Sequence, residues 1–215
     1  KSRSRGLGDV YKRQHQYLAN KNGVLLADTP LTLAETASVF GEMLTFKSLL
    51  KKSENKNQKI SLLRSKIEDM LNTVFRQVAF FKFEREVHLK RSSGELTEEE
   101  IGKIWMDTQK ESLGPSIKFN DNYKYFWAYI PHFIHSPFYV YAYAFGDCLV
   151  NSLYKKYEDG DDDFIEKYYA LLEAGGSVHY QNHLSKFKLN PKREDFWQLG
   201  MNLIKNLMDD LEKLS

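Results

Sequence analysis

Apolar residues recur at helical spacing along most of the chain, and no segment alternates apolar and polar residues as a half-buried strand does. The longest pattern covers residues 59 to about 91, where two apolar stripes overlap, so this helix is predicted to be buried on more than one side. Further helical patterns follow at residues 98–113, 138–158, 161–172 and 192–214. The sequence therefore predicts an all-α fold with no internal repeat and no linker to a second domain.

Residues with known preferences at helix ends mark where these helices begin and stop. Thr97 and Glu100 have the spacing of a capping box, in which each residue bonds the backbone of the other. Asn190 followed by Pro191 predicts an N-cap and a first-turn proline for the last helix. Interruptions are predicted at Gly23, at the polar residues 51–59, at Ser92-Ser93-Gly94, at Gly114-Pro115, at residues 121–129 (irregular or a short helix), and at a tight, flexible loop, Gly175-Gly176-Ser177.

The segment PLTLAETASVFGEMLTF, residues 30–46, predicts a buried amphipathic helix that carries two acids, Glu35 and Glu42, and continues to about residue 50. Seven residues is close to two helical turns, so both carboxylates are expected on one face, with Thr32 as the N-cap. A carboxylate among apolar neighbours must be paired, neutralised or bound to a metal. The ordinary alternative is an acid favoured by the helix dipole at position 35 and a surface glutamate at position 42.

The segment IPHFIHSPFYVYAYAFG, residues 130–146, combines two histidines, His132 and His135, with three tyrosines, Tyr139, Tyr141 and Tyr143. One interpretation is an aromatic core packed by a helix, but each buried polar tip then needs a partner. The other is a set of imidazole and phenol donors that stabilise an oxyanion on a substrate carbonyl. A helix that starts at residue 138 would point Tyr139 and Tyr143 to one side and Tyr141 nearly opposite.

Composition and charge narrow the class of protein. The chain has 215 residues, and its first fourteen carry five Lys/Arg and one Asp, a charge of +4, which leaves −2 for the remainder. We expect residues 1–14 to be an adaptor- or vector-derived tail and residues 15–215 to form the domain, so no nucleic-acid partner is expected.

The lone cysteine, Cys148, suits a reducing cytoplasm. The uncharged run 126–146 is interrupted by prolines and histidines, so we expect buried protein interior and no membrane segment.

Four segments in order carry a family resemblance: TPLTLAETASVFGEML, EDMLNTVFRQVAFFKFEREVH, GELTEEEI and PHFIHSPFYVYAYA. Together they resemble the C-terminal catalytic part of oligoendopeptidase F, which belongs with thimet oligopeptidase among zinc metallo-oligopeptidases. The resemblance covers residues 15 to 215. It implies a multi-helix part of a zincin-type catalytic domain, a zinc cofactor and short peptide substrates, with the rest of the catalytic domain missing from this chain.

The resemblance also implies roles for individual residues. Glu35 matches the family's third zinc ligand, and Glu42 matches a second acid that orients a zinc-bound histidine. Tyr141 is expected to be the oxyanion donor and His132 a contact to the substrate or oxyanion. Tyr139 and His135 are second choices for these roles. The remaining histidines, and the glycine loop at residues 175–177, are expected to be structural or solvated.

One departure from the family pattern is large, because the chain contains no HExxH motif. In the family this motif continues as HExGHxxH, and its last histidine, which is not a ligand, matches His15. The two zinc histidines then fall on Gly8 and Lys12, and the general base falls on Asp9. We therefore expect negligible peptidase activity and weak zinc binding from this chain.

Three hypotheses remain: a zinc endopeptidase present as a C-terminal fragment, a helical domain that binds peptides without cutting them, and a helical domain with no catalytic ancestry. The first two require Glu35 and Tyr141 to lie within ~10–12 Å of each other, the reach of a ligand and one substrate atom. The third has no such requirement. The genomic sequence upstream of His15 would separate the first hypothesis from the second.

Overall fold

The computed structural model describes residues 2–214, with side chains described from residue 9 onward. No strand occurs among these residues, which confirms the predicted all-α class. The α-helices are α1 (Ser2–Ala19), α2 (Thr36–Lys52), α3 (Lys56–Leu71), α4 (Gln77–Arg91), α5 (Glu98–Leu113), α6 (His132–His135), α7 (Tyr141–Glu158), α8 (Phe164–Glu173), α9 (Tyr180–Lys186) and α10 (Glu194–Leu214). Short 3₁₀ helices occur at Asn20–Asn22, Leu31–Leu33 and Asp121–Tyr129, and a π-helical turn occurs at Asn72–Arg76.

The described chain packs as two compact units. The first unit contains the described residues up to Met70 and from Phe145 onward, and the second unit is Leu71–Ala144. Both boundaries fall inside or at the end of a helix. No Gly-, Pro- or Ser-rich segment marks them, so the hydrophobic pattern alone does not predict this division.

In the first unit, α1 lies directly against α2 at Gly41. A Cβ atom at this position would lie only 2.3 Å from the ring of Tyr11, so glycine is needed for the close approach. The helix that contains Tyr11 is continuous from Ser2 to Ala19, and a 3₁₀ turn extends it to Gly23, where the predicted stop occurs. Part of the segment that was predicted to be a foreign tail therefore packs on the domain.

The aromatic core of the first unit surrounds Phe40 of α2. Its ring centroid lies 4.7 Å from that of Tyr168, 5.8 Å from that of Phe164 and 6.0 Å from that of Tyr154. Offset and edge contacts of this kind add to the free energy gained from burial. This core fixes α2 against α7 and α8.

Helix α10 packs against α7 through a second glycine. A Cβ atom on Gly200 would lie 3.3 Å from the Cα atom of Cys148, and the Ser152 hydroxyl donates to the carbonyl of Phe196 at 3.1 Å. The predicted start of this helix at residue 192 is wrong. The side chain of Asn190 does accept the Lys192 N–H at 3.0 Å, but it caps a turn, and α10 begins at Glu194.

In the second unit, Trp105 of α5 lies fully buried at the centre of the core. Its ring centroid lies 5.4 Å from that of Phe80 and 5.1 Å from that of Phe83, both on α4. The predicted capping box of α5 is confirmed. The Thr97 N–H donates to Glu100 at 2.8 Å, and the Glu100 N–H donates to the Thr97 hydroxyl at 3.2 Å.

Two other predictions about helix boundaries need correction. Helix α3 begins inside the predicted polar turn, because the Asn55 side chain accepts the Asn57 N–H at 2.8 Å, as an N-cap does. Helix α8 begins at Phe164 rather than residue 161, after Asp163 in the left-handed region at φ +57°. The long helix predicted from residue 59 to 91 is present, but one π-helical turn interrupts it.

The loop Gly175-Gly176-Ser177 is tied to the backbone of another loop. The Gly176 N–H donates to the Leu26 carbonyl at 2.8 Å. Gly175 has φ +50°, and a Cβ atom there would lie 2.5 Å from the same carbonyl oxygen. These contacts favour the structural interpretation of the loop over a mobile one.

Candidate functional site

Glu35 lies at the start of α2 and not inside it, which corrects the predicted helix. Residues Leu31–Leu33 form a separate 3₁₀ turn that buries Leu33, so Thr32 is not the N-cap. Glu35 itself occupies the N-cap position, with φ −96° and ψ 0°, and its carbonyl accepts the N–H of Val39 at 3.0 Å. The Glu35 side chain projects from this junction.

The Glu35 carboxylate is held by two side chains. The Lys12 ammonium lies 2.8 Å from Oε1, and the Ser38 hydroxyl donates to Oε2 at 3.0 Å. The Glu35 side chain is 20% exposed and that of Lys12 is 46% exposed. A Cβ atom on Gly146 of α7 would lie 3.4 Å from the Glu35 Cβ, so α7 passes close beside the acid. The carboxylate is therefore neutralised by a lysine from α1.

Glu42 belongs to the same group of charges, as its seven-residue spacing from Glu35 predicted. Burial raises the pKa of Glu42, and the charges of Glu35 and Asp69 raise it further. Lys66 and Lys12 act in the opposite direction. Glu42 is thus a partly buried acid within electrostatic reach of both members of the Lys12–Glu35 pair.

Asp147 of α7 is a further acid in this region that the sequence analysis did not identify. It is 4% exposed, and Asn151 donates to it at 2.9 Å. Its pKa is raised to about 6, mainly by burial; Lys66 and the hydrogen bond from Asn151 act against the rise, and the charge of Glu42 adds to it. The signal in the sequence is an acid four residues before an asparagine on a helix whose other residues are mostly apolar.

These residues do not fit a zinc site. Among the described residues, no group of three or more His, Cys, Asp or Glu side chains is placed to hold a metal ion. The ammonium of Lys12 lies 2.8 Å from Glu35 and compensates its charge. His15 is 2% exposed, and burial lowers its pKa to about 4, as suits a neutral core histidine.

In the second unit, His132, Tyr139 and Tyr143 form a cluster, which we call the donor cluster. His132 Nε2 lies 3.2 Å from the Tyr143 hydroxyl. The ring centroid of Tyr139 lies 5.8 Å from that of His132 and 5.3 Å from that of Tyr143. Imidazole and phenol groups at these distances present several hydrogen-bond donors to one region.

The Tyr141 ring packs away from Tyr139 and Tyr143, although Tyr139 precedes α7 and the two do not share a helix. The Tyr141 ring makes an edge contact with Phe81 of α4 at 5.7 Å. His135 is exposed at the end of α6. The predicted start of α7 at residue 138 is wrong, because Phe138 has φ +59° and the helix begins only at Tyr141.

The comparisons with known proteins agree with this architecture. Residues 13–203 match peptidase family M3. Oligoendopeptidase F (plasmid form) of Lactococcus lactis subsp. cremoris is 32% identical over 186 residues, 86% of this chain and 31% of that protein. Oligopeptidase PepF of Bacillus subtilis is 28% identical over 205 residues, 95% of this chain and 30% of that protein. The crystal structure of oligoendopeptidase-F from Enterococcus faecium is similar with a TM-score of 0.83 at 24% identity, over 98% of this chain and 38% of that chain.

The chain belongs to peptidase family M3, and the resemblance to oligoendopeptidase F that the sequence carries is confirmed. It spans about a third of the length of the curated relatives it matches. Within residues 2–214, no helix is both long enough and apolar enough to cross a membrane.

Proposed function

We propose that this chain carries the helical, substrate-facing part of a zinc-dependent endopeptidase that hydrolyses short peptides in the cytoplasm, and that the chain by itself binds peptides without cutting them. The match to peptidase family M3 over residues 13–203 carries the first part of this proposal. The ion pair between Lys12 and Glu35 supports the second part. Neither a nucleic acid nor a membrane is proposed as a partner.

The chain's own contribution to peptide hydrolysis is a set of hydrogen-bond donors. The resemblance puts His132 and Tyr141 first for a contact to the scissile carbonyl, and Tyr139 and His135 second. Because the Tyr141 ring packs on Phe81 and not with the donor cluster, His132 and Tyr139 are the pair that we propose can meet one carbonyl together. Neutral imidazole and phenol groups can donate to an oxyanion as charge develops on it. The bond between His132 and Tyr143 supports this proposal, because it holds the imidazole in one orientation.

Glu35 is proposed as the metal ligand of the family site and Glu42 as the acid that orients a zinc-bound histidine. In this chain Lys12 takes the place of a ligand histidine, and Gly8 and Asp9 stand where the other histidine and the general base belong. One carboxylate paired with an ammonium cannot replace three protein ligands. Weak zinc binding and negligible hydrolysis are therefore the expected behaviour.

Zinc titration by isothermal calorimetry tests this proposal. The chain as it stands is expected to show no saturable binding, whereas Gly8→His/Asp9→Glu/Lys12→His, which writes HExxH on α1, is expected to bind one zinc ion with a dissociation constant below ~1 μM. Lys12→Gln is the matched control, because it breaks the ion pair without adding a ligand. Tight zinc binding by the unmodified chain, with cleavage of a quenched fluorescent peptide that a chelator abolishes, would refute the proposal.

The second candidate function is a domain that binds peptides and takes no part in their cleavage. The ion pair between Lys12 and Glu35 favours it over a domain without catalytic ancestry, because it keeps the family acid but neutralises it. The two candidates separate on the triple variant: gain of chelator-sensitive cleavage supports the endopeptidase, and peptide binding without cleavage supports the binding domain.

The distance between Glu35 and Tyr141 stays a prediction. Cysteines at both positions, in a Cys148→Ala background, are expected to be bridged by a short bis-maleimide reagent. A matched pair with one cysteine moved to exposed Tyr17 is the control. Equal bridging of both pairs would contradict a shared site for Glu35 and Tyr141.

A further inference from the structure

Glu84 is a buried acid in α4 to which the proposed chemistry assigns no role. It is 2% exposed, and the adjacent Phe83 belongs to the aromatic core of the second unit. A carboxylate in such surroundings needs a specific partner. Glu84 has one, because its Oε1 accepts the backbone N–H of Phe138 at 2.7 Å, a length typical of a charge-assisted hydrogen bond.

Phe138 is the residue of this segment whose backbone needs support. Its φ of +59° lies in the left-handed region, which residues with a Cβ atom rarely adopt. The Phe138 N–H is fixed by the hydrogen bond that it donates to Glu84, and the Phe138 ring packs on that of His88 with centroids 4.8 Å apart. Both supports come from α4, so this helix holds the strained turn in place.

The turn at Phe138 sets the geometry of the donor cluster. It follows α6, which carries His132, and precedes α7, which carries Tyr143, while Tyr139 lies within it. The 3.2 Å contact between His132 and Tyr143 therefore spans the turn. A different backbone conformation at Phe138 would change the distance between these two side chains.

Glu84 is also within electrostatic reach of the donor cluster. Burial raises the pKa of Glu84, while the hydrogen bond from Phe138 and the charges of His88 and His132 lower it. Its second oxygen, Oε2, is buried and has no hydrogen-bond partner among the described protein atoms.

We propose that Glu84 is a positioning residue for His132, Tyr139 and Tyr143: by holding the left-handed turn at Phe138, it keeps the imidazole and the phenols at the separation at which they meet one substrate carbonyl. The substrate in this statement rests on the proposed function. The effect of Glu84 on the distance between His132 and Tyr143 does not depend on the proposed function.

Two substitutions at Glu84 distinguish the effect of its hydrogen bond from the effect of the volume that its side chain fills. Glu84→Gln keeps an oxygen that accepts the Phe138 N–H, whereas Glu84→Met fills a similar volume and accepts nothing. Glu86→Met is the matched control on the same helix, because the Glu86 side chain is 42% exposed and pairs with Lys90 on the same helix.

The first measurement is the nuclear Overhauser effect between the His132 and Tyr143 rings, recorded at a temperature at which each variant is fully folded by circular dichroism. The second is the dissociation constant of a fluorescein-labelled octapeptide, measured by anisotropy. Glu84→Met is expected to lose the Overhauser effect and to weaken binding about tenfold, while Glu84→Gln and Glu86→Met stay within about twofold of the parent chain. A role in stability alone would leave both readouts unchanged in the folded variants.

Phe138→Gly supplies an independent variant, because glycine adopts φ +59° without strain. In this background Glu84→Met is expected to weaken peptide binding less than it does in the parent chain. If Glu84→Met does not fold, loss of the Overhauser effect in Glu84→Gln would overturn the proposal, since glutamine still holds the turn.

The proposal would also be overturned if folded Glu84→Met kept both the Overhauser effect between His132 and Tyr143 and the peptide affinity of the parent chain. If the parent chain binds no peptide, the proposed function fails, and the Overhauser effect alone still decides the role of Glu84.

Discussion

The two units bury ionisable groups among different neighbours. In the first unit, His15 and Asp147 are nearly inaccessible to solvent. Burial lowers the pKa of His15 and raises that of Asp147, so it favours the neutral form of both. In the second unit the core around Trp105 is aromatic, and its buried acid, Glu84, accepts a short hydrogen bond from Phe138. Because stability depends on pH through shifted pKa values, the first unit is expected to respond to pH through His15 and Asp147, and the second through Glu84, whose pKa burial also raises.

This difference also bears on chemistry. The acids of the first unit lie beside lysines, so their charges are compensated inside the protein: Lys12 lies beside Glu35, and Lys66 acts on Glu42 and Asp147. The histidine and tyrosines of the donor cluster are held by hydrogen bonding and ring contacts. A compensated acid has little attraction left for a metal ion, whereas the imidazole and phenol donors remain available to a substrate carbonyl.

The largest effect is expected from Trp105→Ala, which removes a fully buried ring from the second unit. The cavity is expected to lower the free energy of unfolding by about 3–5 kcal/mol. The loss should be the same at about pH 5 and about pH 8, since no shifted group is removed. Urea denaturation followed by circular dichroism measures it. Trp197→Ala, which truncates a 36% exposed tryptophan, serves as the control and is expected to cost less.

His15→Gln tests the pH response of the first unit from the acidic side. The folded-state pKa of His15 is about 4, below its unfolded value of 6.5, so its contribution to stability is present above about pH 6.5 and is lost as the pH falls toward 4. Between these limits the parent chain is expected to lose about 3 kcal/mol that the variant keeps. Urea denaturation across this range checks it, with the exposed His135→Gln as control. Parallel pH curves for His15→Gln and the parent chain would contradict the assignment.

Asp147→Asn tests the loss of stability of the same unit as the pH rises, whereas His15→Gln tests the loss as the pH falls. The folded-state pKa of Asp147 is about 6, above its unfolded value of 3.8, so its favourable contribution is present below about pH 4 and is lost as the pH rises through 6. The variant is expected to be more stable than the parent by about 2–3 kcal/mol at about pH 8 and equal to it at about pH 4. Thermal melts at both pH values measure this. Asp159→Asn, at an exposed ion pair after α7, should show no such gain.

The smallest effect is expected from Thr97→Ala at the start of α5 in the second unit. Loss of the hydroxyl that accepts the Glu100 N–H is expected to cost about 1 kcal/mol. Thr97→Ser keeps the hydroxyl and should retain most of the stability. A loss as large as that of Trp105→Ala would mean that the second unit depends on this cap more than on its aromatic core.

Much of the secondary structure was predictable because its signals are local. The capping box at Thr97, the stop at Gly23 and the break after Arg91 each depend on a few consecutive residues. Tyr139 and Tyr141 do make different contacts, but Tyr139 lies in the turn before α7, so helical spacing does not explain this difference. The starts of α2, α7 and α10 were misplaced because each is decided by competition between a local cap and a preceding turn, which spacing does not resolve.

The candidate site was predictable in part. Glu35, Glu42 and His132 stand out because polar residues among apolar ones need partners. Asp147 and Glu84 did not stand out, since each resembles an ordinary acid on a helix. Their burial became visible only when α7 and α4 were packed in their units.

By itself, the sequence determined the all-α class, the membership of peptidase family M3 and the absence of an HExxH motif, since each depends on residue identity and spacing along the chain. Only the tertiary structure decided that Lys12 neutralises Glu35 and that Glu84 holds the turn beneath the donor cluster. These pairs are 23 and 54 residues apart, and contacts over such separations depend on how helices pack, which local periodicity does not encode.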